Sequence, residues 1–269
     1  MLMEAVNGTR LRYEVSGSGV PLVLVHGSWG DHHNWDALVP LLARQFQVVA
    51  YDRRGHSGSD CPPGQGRVED DAADLCALIE QLGLAPAHVV GNSFGASISL
   101  RLAARNPAVL RTLTVHEPPL LMLLADDADS ASVVSELRQR IERVAGLLSS
   151  GRDAEGAEQF VEQIALGPGQ WELLPDPVRQ TFIRNAGTWL DETRDPEALT
   201  IDVGSLRSYS GPALLTKGAE SPPFFGLVLD KVAAGLHAPR RQTIAGAGHV
   251  PHMSHPEEYA EVLVGFIGP

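Results

Sequence analysis

Cysteine is scarce in this chain: Cys61 and Cys76 are the two among 269 residues. Neither has the spacing of a metal ligand set. Cys76 stands beside Leu75 and Ile79 on one helical face and reads as core, whereas Cys61 falls in a Pro-rich loop, so the expected setting is cytoplasmic, without a structural disulfide. Basic residues are also few. Against 33 Asp and Glu there are 21 Lys and Arg, for a formal charge of −12, and a phosphate-backbone partner is set aside because its affinity comes from neutralising phosphates. No apolar run reaches the roughly 18 residues of a membrane span. Met1-Leu2-Met3-Glu4 lacks the basic stretch and apolar run of a secretory leader. No internal repeat or low-complexity tract is present. What remains is 43% hydrophobic and 20% charged, enough for a sizeable core in an α/β fold of this length. A homodimer is compatible with this composition.

The segment Val89-Val90-Gly91-Asn92-Ser93-Phe94-Gly95-Ala96 places a serine between two glycines where an apolar strand runs into an apolar helix. In such a turn the serine is held in a strained conformation at the strand tip, and its neighbours must lack bulk for strand and helix to pack closely. Ser93 is therefore the candidate nucleophile. Upstream, Leu22-Val23-Leu24-Val25 ends abruptly at His26-Gly27-Ser28-Trp29-Gly30. A strand end followed by small residues can aim free N–H groups at a substrate oxygen, so the amides of Ser28 and Phe94 are the candidate oxyanion hole. The competing reading is a plain strand-loop turn with a buried His26. Phe46 to Tyr51 is a second buried strand, and Asp52 and Arg53 beyond it read as braces for a glycine-bearing loop.

Strand patterns near Leu22, Gln47, His88, Thr112, Ala213 and Gln242 alternate with helical ones after a hairpin-like start from Met3 to Gly17, which predicts a mostly parallel sheet with helices on both faces. From Pro118 to Pro212 no strand pattern occurs, and helical segments are expected at Ala131 to Leu148, Asp153 to Leu166 and Asp176 to Asn185. An interval of that length is too long for a loop. The domain reading is a core of residues 1–117 and 213–269 with a helical cap, 118–212, inserted over the site. Apolar residues of the insertion, among them Leu121, Trp171, Phe182 and Trp189, are candidates for the pocket wall, and Trp29 beside the oxyanion turn joins them.

His26-Gly27, the loop Asp52-Arg53-Arg54-Gly55-His56-Ser57-Gly58-Ser59, the Ser93 turn and a late Gly248-His249 together resemble the α/β-hydrolase superfamily over nearly the whole chain. The resemblance implies a Ser-His-acid triad, with no cofactor and no metal. His249, directly after the small-residue turn that follows the last strand, is preferred as its base over His252 and His255; Pro256, Glu257 and Glu258 suit a helix start, leaving His255 as a capping or surface residue. The usual acid position is occupied by Ser221, which cannot hold an imidazolium. Two carboxylates remain. Glu220 is one residue out of register, and Glu117 ends the strand Thr112 to His116. His116-Glu117-Pro118-Pro119-Leu120 resembles the zearalenone lactonase branch, where a Glu in such a segment completes the triad, so Glu117 is the expected acid and Glu220 the alternative. Trp189 resembles a substrate-contacting tryptophan of that branch. Together these imply a carboxylesterase or lactonase acting on an apolar ester or lactone. Perhydrolases and carbon–carbon bond hydrolases use the same triad, and a non-catalytic small-molecule receptor of the same fold is the alternative outside enzymes.

Overall fold

The computed structural model describes residues 2–268. Alternation of exposed and buried side chains starts the chain as a hairpin, β1 (Leu2–Val6) and β2 (Thr9–Ser16), turned at Asn7-Gly8, both at positive φ, the dipeptide that a tight hairpin favours. All but the last of the remaining strands are nearly continuous apolar runs, as expected where both faces of a parallel sheet are covered; the last, Arg240-Arg241-Gln242-Thr243-Ile244, is a largely exposed edge strand. In chain order they are β3 (Val20–Val25), β4 (Phe46–Tyr51), β5 (Ala87–Asn92), β6 (Leu110–His116), β7 (Ala213–Gly218) and β8 (Arg240–Ile244). The eight strands form one sheet in the order β1-β2-β4-β3-β5-β6-β7-β8. β2 pairs antiparallel with both β1 and β4; across the sheet from β4 to β8 every pairing is parallel. The sheet order therefore turns between β3 and β5, and the carboxyl ends of adjacent strands converge there, where open α/β sheets bind ligands.

Two apolar layers flank the sheet. Helices Val68–Gln81, Phe94–Arg105 and Phe224–Gly235 pack into the larger core on one face, while Trp35, Leu38, Leu42 and helix Pro256–Ile267 cover the other. Cys76 is buried in the first layer, and both cysteines are free thiols. Among the described residues no helix is long and apolar enough to cross a membrane.

The interval between β6 and β7 is helical. Helix Ala131–Ser149 is followed by Asp153–Phe160, which runs on through a π-helical turn at Val161–Ala165, and then by Asp176–Arg184 and Ala186–Arg194. The insertion has its own apolar cluster, including Val144, Leu148, Val161, Trp171 and Trp189, and the core contributes Trp29 to it. Its two ends belong to the core instead: Leu120, Leu121 and Leu124 on the way out, and Ala198, Ile201 and Leu206 on the way back, are buried in the larger layer.

Candidate active site

Ser93 sits at φ 54° and ψ −121°, between the end of β5 and helix Phe94–Arg105. A non-glycine residue there is strained, and the neighbouring glycines are what make it possible. A Cβ on Gly91 would lie 2.4 Å from the Gly95 carbonyl oxygen, and one on Gly95 would lie 2.1 Å from that of Val25. No side chain fits at either place.

The late histidine and the β6 glutamate meet at short range. His249 Nδ1 donates to Glu117 Oε2 at 2.6 Å, and the Gly218 amide donates to Glu117 Oε1 at 2.7 Å. A carboxylate holding Nδ1–H leaves Nε2 with its lone pair, the tautomer a general base needs. Asn92 Nδ2 donates to the His249 carbonyl at 3.0 Å and the Phe225 ring stacks on the imidazole at 4.7 Å, so the loop is held from both sides. Burial alone would push the Glu117 carboxyl up; the hydrogen bond from His249, with the charges of His249 and His116, brings it below the usual glutamate value. Glu117 is thus anionic and fully buried. Glu220 is exposed and lines the outer mouth of the cleft, away from the His249 Nδ1 contact.

Ser93 and His249 both line a cleft with two lobes. The inner lobe lies between core and insertion and is apolar, walled by Leu121, Leu137, Ile141, Phe160, Trp189 and Phe225. The outer lobe carries Asn34, Gln170, Glu220, Ser221 and His255 beside apolar Leu173, Val178 and Met253. Ser28 faces both lobes and Phe94 the inner one, so the residues whose amides were expected to receive an oxyanion flank the nucleophile. Trp189 reaches the inner lobe. Trp29 does not: its ring is fully buried, stacked against Phe160 at 5.0 Å and Phe182 at 6.0 Å.

His26 and His32 are braces. His26 donates from Nδ1 to the Gly27 carbonyl at 2.8 Å and accepts the Arg53 amide on Nε2 at 3.0 Å, and burial pushes it down to about 3. Asp52 accepts from the amide and ring of His32 and from the Gly58 amide, fixing the glycine-bearing loop. His252 is buried against Trp35 at 4.4 Å between ring centroids, and His255 occupies the N-cap position of the last helix without a side-chain cap bond.

One residue at the site carried no signal in the sequence. Glu192, on helix Ala186–Arg194 of the insertion, accepts from Ser28 Oγ at 2.5 Å and from Arg53 Nη2 at 2.5 Å, and it lines the inner lobe. A lone glutamate on a helix with an exposed face carries no motif; the one hint is its i, i+3 spacing from Trp189, which puts both on one helical face.

This sheet, elbow and triad-like group define an α/β hydrolase, and the sequence matches the alpha/beta hydrolase family over residues 22–262. The chain belongs to that family. An uncharacterized hydrolase of Bacillus subtilis (strain 168) is 41% identical over 121 residues, 44% of this chain and 45% of that protein, so the match spans less than half of either. A zearalenone hydrolase of Bionectria ochroleuca is 27% identical over 268 residues, 96% of this chain and 94% of that one. Among solved structures, an alpha/beta hydrolase of Sphaerobacter thermophilus superposes with a TM-score of 0.80 at 28% identity, covering 99% of this chain and 100% of the other.

Proposed function

We propose that this hydrolase cleaves a carboxylic ester or lactone through a Ser93-His249-Glu117 triad and an acyl-enzyme. The observation that carries the reading is the 2.6 Å contact of His249 Nδ1 with the buried Glu117 carboxylate, beside a serine in the strained elbow conformation. His249 Nε2 takes the Ser93 proton as Oγ attacks the carbonyl carbon, and the Ser28 and Phe94 amides receive the oxyanion. The protonated His249 then gives its proton to the leaving alkoxide, and water activated by the same nitrogen releases the acid. A serine nucleophile excludes the alkyl-enzyme ester route of haloalkane dehalogenases and epoxide hydrolases, which needs a carboxylate at that position. No step requires a metal or an organic cofactor.

The two lobes supply the substrate class. The scissile carbonyl sits at their junction, one side of it in an apolar chamber where Trp189 touches substrate, the other in a more open and polar one. A bulky apolar ester or lactone fits this division, and the similarity to a zearalenone hydrolase supports the lactone. The test is a hydrolysis screen over p-nitrophenyl esters of rising chain length, acyl homoserine lactones and macrolactones, run beside fluorophosphonate labelling. Wild type should label at Ser93 and hydrolyse several of these; Ser93→Ala should stay folded and lose both, keeping only the residual acceleration of roughly 10³–10⁴ over water that binding and an oxyanion hole provide. Retention of more than about a tenth of the rate in Ser93→Ala would remove Ser93 from the mechanism.

A further inference from the structure

The turn His26–Gly30, which carries the Ser28 amide, is held to a large extent by the insertion rather than by the core. Trp29 has φ 65°, an unfavourable conformation for a bulky side chain, and such a conformation persists only when its surroundings over-determine it. Three contacts from the insertion do so. Asn185 Nδ2 donates to the carbonyls of Trp29 at 3.1 Å and Gly30 at 2.9 Å. Glu192 accepts a hydrogen bond from the Ser28 hydroxyl. Trp189 lies 5.4 Å from the Trp29 ring, which is enclosed with Phe160 and Phe182. Asn185 immediately precedes helix Ala186–Arg194, and Trp189 and Glu192 belong to it. The core supplies the remaining ties: His26, bridged to the Gly27 carbonyl and the Arg53 amide, and Arg53 itself, which donates to Glu192 and lies 4.9 Å over the Phe94 ring.

We propose that helix Ala186–Arg194 and the preceding Asn185 position the oxyanion turn, with Asn185 and Glu192 as positioning residues, so that the oxyanion hole is complete only while the insertion is seated on the core. The inference rests on the proposed ester or lactone hydrolysis. It has a consequence that a pocket wall alone would not have. Loosening the helix should slow turnover even of a substrate too small to touch the insertion, because amides must be aimed in advance at the position the oxyanion will occupy.

The variants are Ser28→Ala, which keeps the amide and cuts the tie from the core side, Glu192→Gln, and Asn185→Ala. Glu192→Ala is avoided, since it would remove the shortest carboxylate contact of the buried Arg53 guanidinium and confuse folding with function. For p-nitrophenyl acetate each variant should lose at least about tenfold in kcat with KM changed less than about twofold, the signature of an interaction made in the transition state. Ser28→Ala and Glu192→Gln combined should lose no more than the worse single variant, because the contact that Ser28→Ala removes is one of the two that Glu192→Gln disturbs. Amide hydrogen exchange of the segment 26–30, read on the same proteins without substrate, should accelerate in Asn185→Ala and Glu192→Gln while the β-strands keep their protection. Unchanged exchange in that segment, or kcat on the acetate within about twofold of wild type in folded variants, overturns the inference. Wild type that neither labels nor hydrolyses any ester overturns the proposed activity instead, and the exchange measurement still decides the role of the helix.

Discussion

Glu117 is the residue at which strain, burial and charge coincide. It is a non-glycine residue at φ 46°, fully buried, and its two carboxylate oxygens are spoken for by His249 and the Gly218 amide. Position 218 must be glycine for that approach, since a Cβ there would stand 2.3 Å from the Ala247 carbonyl oxygen. Glu117→Gln should keep the fold and lower kcat by roughly 10⁴, as replacing a triad acid by its amide does elsewhere by favouring the wrong imidazole tautomer. Glu220→Gln, at an exposed side chain, should change kcat by less than about twofold. Steady-state kinetics on one p-nitrophenyl ester separates them; comparable losses in both would take the acid role from Glu117. Ser93 and His249 stood out as candidates in the sequence because each follows a strand with a small-residue signature, and Glu117, with Glu220 as the alternative, through the resemblance of its His-Glu-Pro-Pro segment; strands of a parallel sheet bring their carboxyl ends together whatever their separation along the chain. Glu192 and Asn185 did not stand out. Their roles come from a helix docking across the sheet edge, a long-range contact that leaves no periodicity behind.

At the level of elements the strands were the readable part: β3 to β7 are runs of β-branched and apolar residues bounded by turns, the hairpin β1 and β2 alternates, and the exposed edge strand β8 was legible only over Gln242 to Ile244. Three of the insertion's helices also lie close to their expected ranges. Helix Ala186–Arg194 was missed, for Gly187 and Thr188 are poor helix formers in its first turn, and the Asn185 side chain is spent on the turn carbonyls rather than on a cap. The expected helix Asp153 to Leu166 is a single rod whose last turn widens to π geometry at Val161–Ala165, a device common near functional sites; here it presents Ile164 and Ala165 to the inner lobe. Two substitutions test this level. Gly95→Ala forces a methyl against the Val25 and His26 carbonyl oxygens, and because backbone cannot yield as a side chain does, the cost should exceed the ~1–3 kcal/mol of ordinary overpacking and lower Tm by several degrees in a thermal melt. Ile141→Trp should fill the inner lobe, raising KM for long-chain esters while leaving p-nitrophenyl acetate near its wild-type KM. An equal effect on both esters would show that the long chain lies elsewhere.

Across the whole molecule, buried titratable groups pull stability in opposite directions with pH. Burial lowers five histidines: His26 to about 3, His88 and His116 to about 4, and His56 and His252 well below their ordinary value. The unfolded chain binds protons at these positions near pH 6.5 and the folded chain does not, so they withdraw stability as pH falls below about 6.5. Three groups oppose them: His32, whose burial is outweighed by the hydrogen bond and charge of Asp52 so that its value is raised and its contribution fades above about pH 6.5, and two carboxyls. Burial raises Asp71 to about 6 and Glu192 to about 7, against the pull of the Arg53 guanidinium that lies near both. For these the folded state holds the proton longer. Their contribution is complete below the unfolded carboxyl value of about 4 and fades as pH rises through about 6 and 7. Each unit of displacement is worth about 1.4 kcal/mol, so five histidines outweigh two acids: wild-type Tm should climb from pH 5 to about 6.5 and flatten or dip slightly toward pH 8. Glu192→Gln removes one opposing group, and the Gln variant should therefore gain more Tm than wild type between pH 5 and 8. Paired thermal melts at these two values check the sign, since the difference between variant and wild type cancels the histidines. A variant whose Tm rises no more than that of wild type over the same interval would mean that Glu192 is already ionised at pH 5, with the Arg53 pair outweighing its burial.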